Sequence, residues 1–201
     1  MGQRGAGAAF MPSKYVFPGG AMDPADSSVS LGTALPQRCA DRLRFDSAIA
    51  PDALAAAGIR ELWEETGLLL GTPGDWPSAA PPDRDEDWAR FAALGLRPAA
   101  DAMRFVFRAI TPPGRPRRFD ARFFLVSAAT INGDPEDFSA ASDELSHLHW
   151  IALTEARSLD LPFITEVVLA EVGAILRDQN KDEGVPFFDN SGPNPVFRRI
   201  A

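Results

Sequence analysis

The sequence predicts a mixed fold, α+β or α/β in character, built as one domain over residues 1–201. Three observations lead there. A chain of 201 residues with 45% hydrophobic content is long enough for one ordinary core and too short for two well-developed ones. Two strand-like runs, "MRFVFRAI" (103–110) and "ARFFLVSA" (121–128), flank the turn-rich "TPPGRPRRFD". Helical stretches stand on either side of that pair, one opening at Pro51 and one at Pro162.

In chain order, the first nine residues are rich in Gly and Ala, show no alternation and predict no element. "YVFPGG" reads as a short strand, Tyr15 to Phe17, halted by Pro18 and opened into a turn by Gly19 and Gly20. Residues 21–50 shift to Asp, Ser, Ala and Arg with weak periodicity, which predicts an extended loop with room for a short helix. "PDALAAAGIRELWEE" is the clearest helix: Pro51 and Asp52 suit its first turn, alanines fill its body, and Thr66-Gly67 stops it. "LLL" (68–70) predicts a brief strand, and "GTPGDWPSAAPPDRD" a punctuated connection. In "EDWARFAALG", Trp88, Phe91 and Ala92 share one face of a second helix. After the two strands, "LHWIAL" predicts another. The last helix carries Ile164, Val167, Val168 and Val172 on its apolar side. The remainder, 178–201, reads as an irregular tail.

Composition narrows the function. A net charge of −8 argues against a nucleic-acid backbone or an anionic membrane as the main partner, since both reward clustered Lys and Arg. Cys39 is the only cysteine, so neither an intramolecular disulfide nor a cysteine-based zinc cage is available. His147 and His149 lie two apart, and a metal site shared by them is not expected. The opening residues lack a continuous apolar run and no later stretch reaches membrane-spanning length, so a reducing, cytoplasmic setting is expected.

The chemistry concentrates in "RELWEETG" (60–67). On a helix, Glu61, Glu64 and Glu65 are related by i, i+3 and i+4, so their carboxylates project from one side. Like charges at that spacing repel. An acidic triplet by itself is as a rule a solvated face. Hard oxygen donors on one side of a helix are also what Mg²⁺ or Mn²⁺ binds, keeping waters and substrate phosphates for its other positions. Trp63 lies on a different face and reads as core, as do Trp88 and Phe91.

"DALAAAGIRELWEETGL" (52–68) resembles the signature box of the Nudix hydrolases. That pattern runs Gly, five residues, Glu, seven residues, Arg-Glu, an apolar residue, any residue, Glu-Glu, any residue, Gly, apolar. Arg60, Glu61, Leu62, Glu64, Glu65, Gly67 and Leu68 match it, and Gly20 matches the leading glycine. The pattern's early Glu is missing. Asp26 lies six residues after Gly20 and Asp52 eight before Arg60, each at one of the two required spacings. Asp52 is preferred here, because it lies two turns before Arg60 near a helix N-terminus, which makes residues 21–50 an insertion within the box. With "FMPSKYVFPGG" and "RRFDARFFL", the interrupted box resembles the coenzyme A and acyl-coenzyme A diphosphatase branch of the family. Weaker likeness continues through "DELSHLHW" to about residue 176. The apolar strand that the family places ahead of "FPGG" is expected to be absent or cut short, with Arg4 either replacing an arginine at its end or lying disordered.

The resemblance implies an α+β fold, an α/β/α sandwich whose mixed sheet is flanked by helices. It implies hydrolysis of a nucleoside diphosphate linked to another moiety, with Mg²⁺ or Mn²⁺ held by Glu61, Glu64 and Glu65. One of these, or Glu144 outside the helix, would be the general base, with Arg60 as an orienting salt-bridge partner and Gly20 allowing close approach of the main chain. Arg117, Arg118 and Arg122 are the candidates for the 3′-phosphate of coenzyme A, against the plainer reading of a solubilising strand edge. The expected partner is therefore a small nucleoside diphosphate derivative, with neither nucleic acid nor membrane, and a homodimer is left open. ADP-ribose or a nucleotide sugar is the rival substrate, and a non-catalytic nucleotide-binding regulator the rival class. The intact glutamate trio speaks against the regulator.

Overall fold

The computed structural model of the chain describes residues 1–8, 10–77, 86–115, 117–178 and 183–201, with the backbone alone at Glu86. Part of the expected connection after residue 70, residues 78–85, lies outside them. The strands are β1 (Gly2–Arg4), β2 (Tyr15–Val16), β3 (Gly71–Pro73), β4 (Leu96–Pro98), β5 (Arg104–Ile110), β6 (Asp120–Leu125), β7 (Leu145–Ser146), β8 (Val185–Asp189) and β9 (Val196–Ile200). The helices are α1 (Gln37–Leu43), α2 (Pro51–Thr66), α3 (Glu86–Ala93), α4 (Leu153–Ala156) and α5 (Phe163–Arg177), with 3₁₀ turns at Pro24–Ser28 and Ala128–Thr130.

Among the described residues three sheets result: β2-β1-β7, β3-β4 and the mixed β6-β5-β8-β9, in which β5 and β8 run parallel and the other pairs antiparallel. The strand β5 is covered on both faces, which is why its sequence reads as an apolar run broken by the buried Arg108 rather than as an alternation. On one face Phe105 joins Met103 and Phe187 against Ile59, Ala55 and Ala56 of α2, with Trp88 and Phe91 of α3 in the same cluster. On the other, Phe107 and Ala109 pack with Val168 of α5. Helix, sheet, helix is the layering of an α+β fold of the predicted kind.

The helix α2 is built as the sequence reads. Pro51 occupies its first turn, and Gly67 ends it in the left-handed conformation (φ 74°), donating its N–H to the Trp63 carbonyl at 2.8 Å. Ala55, Ala56 and Ile59 are completely covered. An Ile so buried contributes roughly 1.5–3 kcal/mol of transfer free energy, enough to fix the helix rotation and hence the direction of its glutamates.

Elsewhere the fold departs from the sequence expectation. The opening residues are structured: β1 is the middle strand of its sheet, pairing Gly2 with Val16 and Arg4 with Leu145. The segment 21–50 does carry its short helix, α1, as the sequence allowed, and the 3₁₀ turn besides. No strand forms over 68–70, where Leu69 makes one isolated bridge to Asn132. "LHWIAL" is not a strand either; β7 stops at Ser146, His147 adopts a positive φ of 52°, and Leu153 begins α4. The tail is a hairpin whose first strand, β8, inserts beside β5, with register running from Val185↔Ile200 to Asp189↔Val196. Its Phe187 is completely buried, with the Arg108 guanidinium 4.4 Å and the Arg198 guanidinium 5.0 Å from the ring centroid.

Candidate active site

Arg60 organises the glutamate face of α2. Its side chain is buried and reaches four carboxylate and carbonyl partners at once. Nε donates to Asp26 Oδ1 at 3.0 Å and Nη2 to Asp26 Oδ2 at 3.2 Å. The Nη1 group lies 3.0 Å from Glu61 Oε1 and 3.2 Å from Glu64 Oε2, while Nη2 also donates to the Ala21 carbonyl at 2.9 Å. Asp26 is 1% exposed. It sits in the 3₁₀ turn after Asp23, whose backbone N–H it accepts at 2.8 Å in a reciprocal capping arrangement.

The Gly19-Gly20 turn closes over the same helix face. The Gly19 N–H donates to Glu65 Oε2 at 2.6 Å. A Cβ on Gly20 would lie 2.4 Å from Glu61 Oε1, so any side chain there would push that carboxylate out of its present place. From the far side comes the loop before β7, tied to α2 by the Ser142 N–H on the Glu64 carbonyl at 2.9 Å. It carries Glu144, which ion-pairs with Arg4 of β1 at 3.2 Å and whose charge acts on Glu61, Glu64 and Glu65 alike.

These carboxylates outnumber their cations, and their acidity shows it. Burial, reinforced by Glu64 and Glu144 and only partly offset by Arg60, pushes Glu61 up to about 7. Burial pushes Glu65 up to about 8 despite its bond from Gly19. Glu64, the most exposed of the three, is raised by burial and by the nearby charge of Asp87 on α3. Arg60 is raised: burial alone would lower it, but Asp26 and Glu61 outweigh that.

Of the residues singled out from the sequence, Arg60, Glu61, Glu64, Glu65, Gly20 and Glu144 come together here. The three arginines do not share one environment. Arg117 and Arg118 are exposed in the connection before β6, with Arg118 Nε donating to the Thr111 carbonyl at 3.1 Å. The Arg122 side chain is only 6% exposed and faces Asp120, with Nη2 also donating to Ser47 Oγ. The preference for Asp52 is wrong. Asp52 is exposed in the first turn of α2, and the buried partner of Arg60 is Asp26. Helical spacing favoured Asp52, but an acid brought in by a separate turn obeys no such spacing; the distance from Gly20 was the better signal. Sequence reasoning also missed Trp88 as a polar partner: it is core, yet its Nε1 donates to Asp26 Oδ1 at 3.0 Å.

No family model matches the chain. It is 30% identical over 156 residues to a Caenorhabditis elegans protein named nudix hydrolase 7, covering 74% of this chain and 44% of that one. It is 28% identical over 205 residues to the acyl-coenzyme A diphosphatase NUDT19 of Gallus gallus, covering 77% of this chain and 53% of that one. A crystal structure of a NUDIX hydrolase from Alicyclobacillus acidocaldarius superposes with a TM-score of 0.53 at 24% identity, over 84% of this chain and 80% of the other. The chain is a Nudix homologue with the Nudix fold. It spans about half the length of the curated relatives it matches. Among the described residues no helix is long and apolar enough to cross a membrane.

Proposed function

We propose that this Nudix homologue is a divalent-metal-dependent hydrolase of the diphosphate bond in nucleoside diphosphate derivatives, with coenzyme A or an acyl-coenzyme A as substrate. The products would be 4′-phosphopantetheine, or its acyl form, and adenosine 3′,5′-bisphosphate. The observation that carries the reading is the excess of carboxylate around Arg60, with Glu61 and Glu65 held near and above neutral by burial and mutual repulsion. A site in that state is stabilised by taking up positive charge.

Among the described residues no three acid, His or Cys side chains are already gathered as a metal-holding set. The donor chemistry nonetheless fits a hard cation: Glu61, Glu64 and Glu65 offer oxygens alone, from one helix face. They would hold Mg²⁺ or Mn²⁺, which, once bound, screens phosphate charge and acidifies water. The chain's own part is then positional. Arg60 orients Glu61 and Glu64, Gly20 lets the turn approach, and Glu144, outside the helix but within its field, is the candidate base alongside Glu61 and Glu64. Arg117 and Arg118 are free of the internal network that occupies Arg122, so they are the better candidates for the 3′-phosphate.

The coenzyme A assignment takes its support from the name of the Gallus gallus relative and from the sequence likeness. A substrate panel tests it. The chain is incubated with coenzyme A, acyl-coenzyme A, dephospho-coenzyme A, ADP-ribose and nucleotide sugars in Mg²⁺ or Mn²⁺, and products are read by mass. Preference for coenzyme A compounds, with no turnover in chelator, is expected. Equal turnover of ADP-ribose would leave a diphosphatase of broader choice, and absence of hydrolysis throughout would end the enzyme reading.

A further inference from the structure

We infer that Trp88 is a positioning residue: through Asp26 it sets how Arg60 is shared between the buried acid and the glutamates of α2. This rests on the functional reading above only for its consequence in metal binding.

The geometry is a relay of three buried side chains. Trp88 is 0% exposed, Asp26 1% and Arg60 6%. Asp26 Oδ1 accepts from both Trp88 Nε1 and Arg60 Nε, each at 3.0 Å, and Oδ2 accepts from Arg60 Nη2 at 3.2 Å and the Asp23 N–H at 2.8 Å. An aspartate is one methylene shorter than a glutamate and must be held in place to reach. Here an indole from α3 holds it on one side and the 3₁₀ turn on the other. With Asp26 fixed, it engages the Nε and Nη2 edge of Arg60 and leaves Nη1 to divide between Glu61 and Glu64. If that grip loosens, the guanidinium is released toward the two glutamates and competes with any cation they would bind. The helix that carries Trp88 thereby couples to the carboxylate face without touching a substrate.

The same aromatic layer supplies a matched control. Trp63 is buried nearby on α2, 6.5 Å from Phe91 between ring centroids, and its Nε1 has no hydrogen-bond partner among the described residues. Trp88→Phe and Trp63→Phe remove the same atoms from the same layer, but only the first removes a bond to Asp26. Asp26→Asn, close to isosteric, is the second variant should Trp88→Phe unfold.

Two readouts are taken on the metal-free, full chain and on Mn²⁺ titration. The first is the Arg60 Nε–H signal in ¹⁵N-resolved NMR, which a buried ion pair protects from exchange. The second is the dissociation constant for Mn²⁺ alone, by calorimetry or electron paramagnetic resonance. In Trp88→Phe the Arg60 signal should shift or exchange away and Mn²⁺ affinity should fall about tenfold, the low end of what losing a partner behind the metal ligands costs. Asp26→Asn should lose more, approaching about a hundredfold, and Trp63→Phe should resemble the parent in both. A Trp88→Phe protein indistinguishable from Trp63→Phe in both readouts overturns the relay. If the Arg60 signal responds as described while the parent binds no Mn²⁺, the relay stands and the metal-dependent reading falls.

Discussion

Two buried arginine networks stand on either side of the molecule's functional question, and their charge balance is opposite. Around Arg60, one guanidinium faces Asp26, Glu61 and Glu64, with Glu65 and Glu144 close enough to act on them. Around Asp120, one carboxylate faces two arginines, Arg108 at 2.7 Å and Arg122 at 3.0 Å. The second network is completed from within. Arg108 donates to the Phe45 and Asp46 carbonyls, and Arg122 to the Asp120 carbonyl and Ser47 Oγ. It stitches the segment after α1 to β5 and β6. The first network cannot be completed that way, because carboxylates need donors: among the described residues the main chain brings the Asp23 N–H to Asp26 and, of the three helix glutamates, serves Glu65 alone, from Gly19. Surplus negative charge held in place points to a cation from outside; surplus positive charge satisfied by carbonyls points to architecture.

The largest effect expected from this contrast is on the acidic side. Glu64→Gln and Glu65→Gln each remove a negative oxygen donor while keeping nearly the same shape, so kcat at saturating metal should drop at least about a hundredfold with the fold retained by circular dichroism. Near-normal turnover in either variant would place the chemistry elsewhere. The basic network should respond in the other currency. Asp120→Asn leaves Arg108, which is 2% exposed, without its counter-charge. The cost should be about 2 kcal/mol, below that of a fully buried pair because the aspartate is over a third exposed. At this chain length that is roughly 4–8 °C in Tm. Turnover at low temperature should hardly change, and a variant that keeps its Tm but loses turnover would reverse the two roles.

What the sequence revealed divides along similar lines. The helix α2 and its glutamates were legible because local features agree: Pro51 starts it, alanines fill it and Gly67 stops it. The partner of Arg60 was misassigned because Asp26 arrives from a different turn, and long-range pairing leaves no periodic trace. The β8–β9 hairpin was hidden for a related reason. "VPFFD" and "VFRRI" are short, and β8 is stabilised by pairing with β5, far away in the chain. The signal that could have found it was an apolar run on one side of the turn cluster "NSGPNP" and an apolar-ended run on the other. β1 was missed because three residues with a Gly and no large apolar side chain carry no strand pattern.

The two networks should also differ in how stability depends on pH. Glu61 and Glu65 are raised from near 4.5 to about 7 and about 8, so between pH 4.5 and 8 the folded chain keeps protons that the unfolded chain has released. Stability therefore falls as pH rises through that window. Metal-free protein should melt several degrees lower at pH 8.5 than at pH 5.5. Millimolar Mn²⁺ should close most of the gap from the alkaline side, since it binds the deprotonated carboxylates. Glu65→Gln should flatten the slope and Asp120→Asn should leave it, because arginines do not titrate in this range. Equal melting temperatures in the metal-free parent would mean that the acidic network carries less strain than its burial implies.

The smallest effect separates exposed arginines from the buried basic network. Coenzyme A differs from dephospho-coenzyme A by one 3′-phosphate, so a site that recognises it should favour coenzyme A in kcat/KM by roughly 1–3 kcal/mol, the worth of charge-assisted contacts. Arg118 spends one donor on the Thr111 carbonyl and is otherwise open to solvent, whereas Arg122 is covered and occupied. Arg118→Ala should thus narrow the preference by about 1 kcal/mol, roughly fivefold, by slowing coenzyme A while leaving dephospho-coenzyme A and Tm alone. Arg122→Ala should lower Tm and change both substrates by a common factor, since it disturbs the sheet rather than a phosphate contact. If instead Arg122→Ala erases the preference and Arg118→Ala does not, the surplus positive charge beside Asp120 is itself the phosphate site, and the line drawn between the two networks has to move.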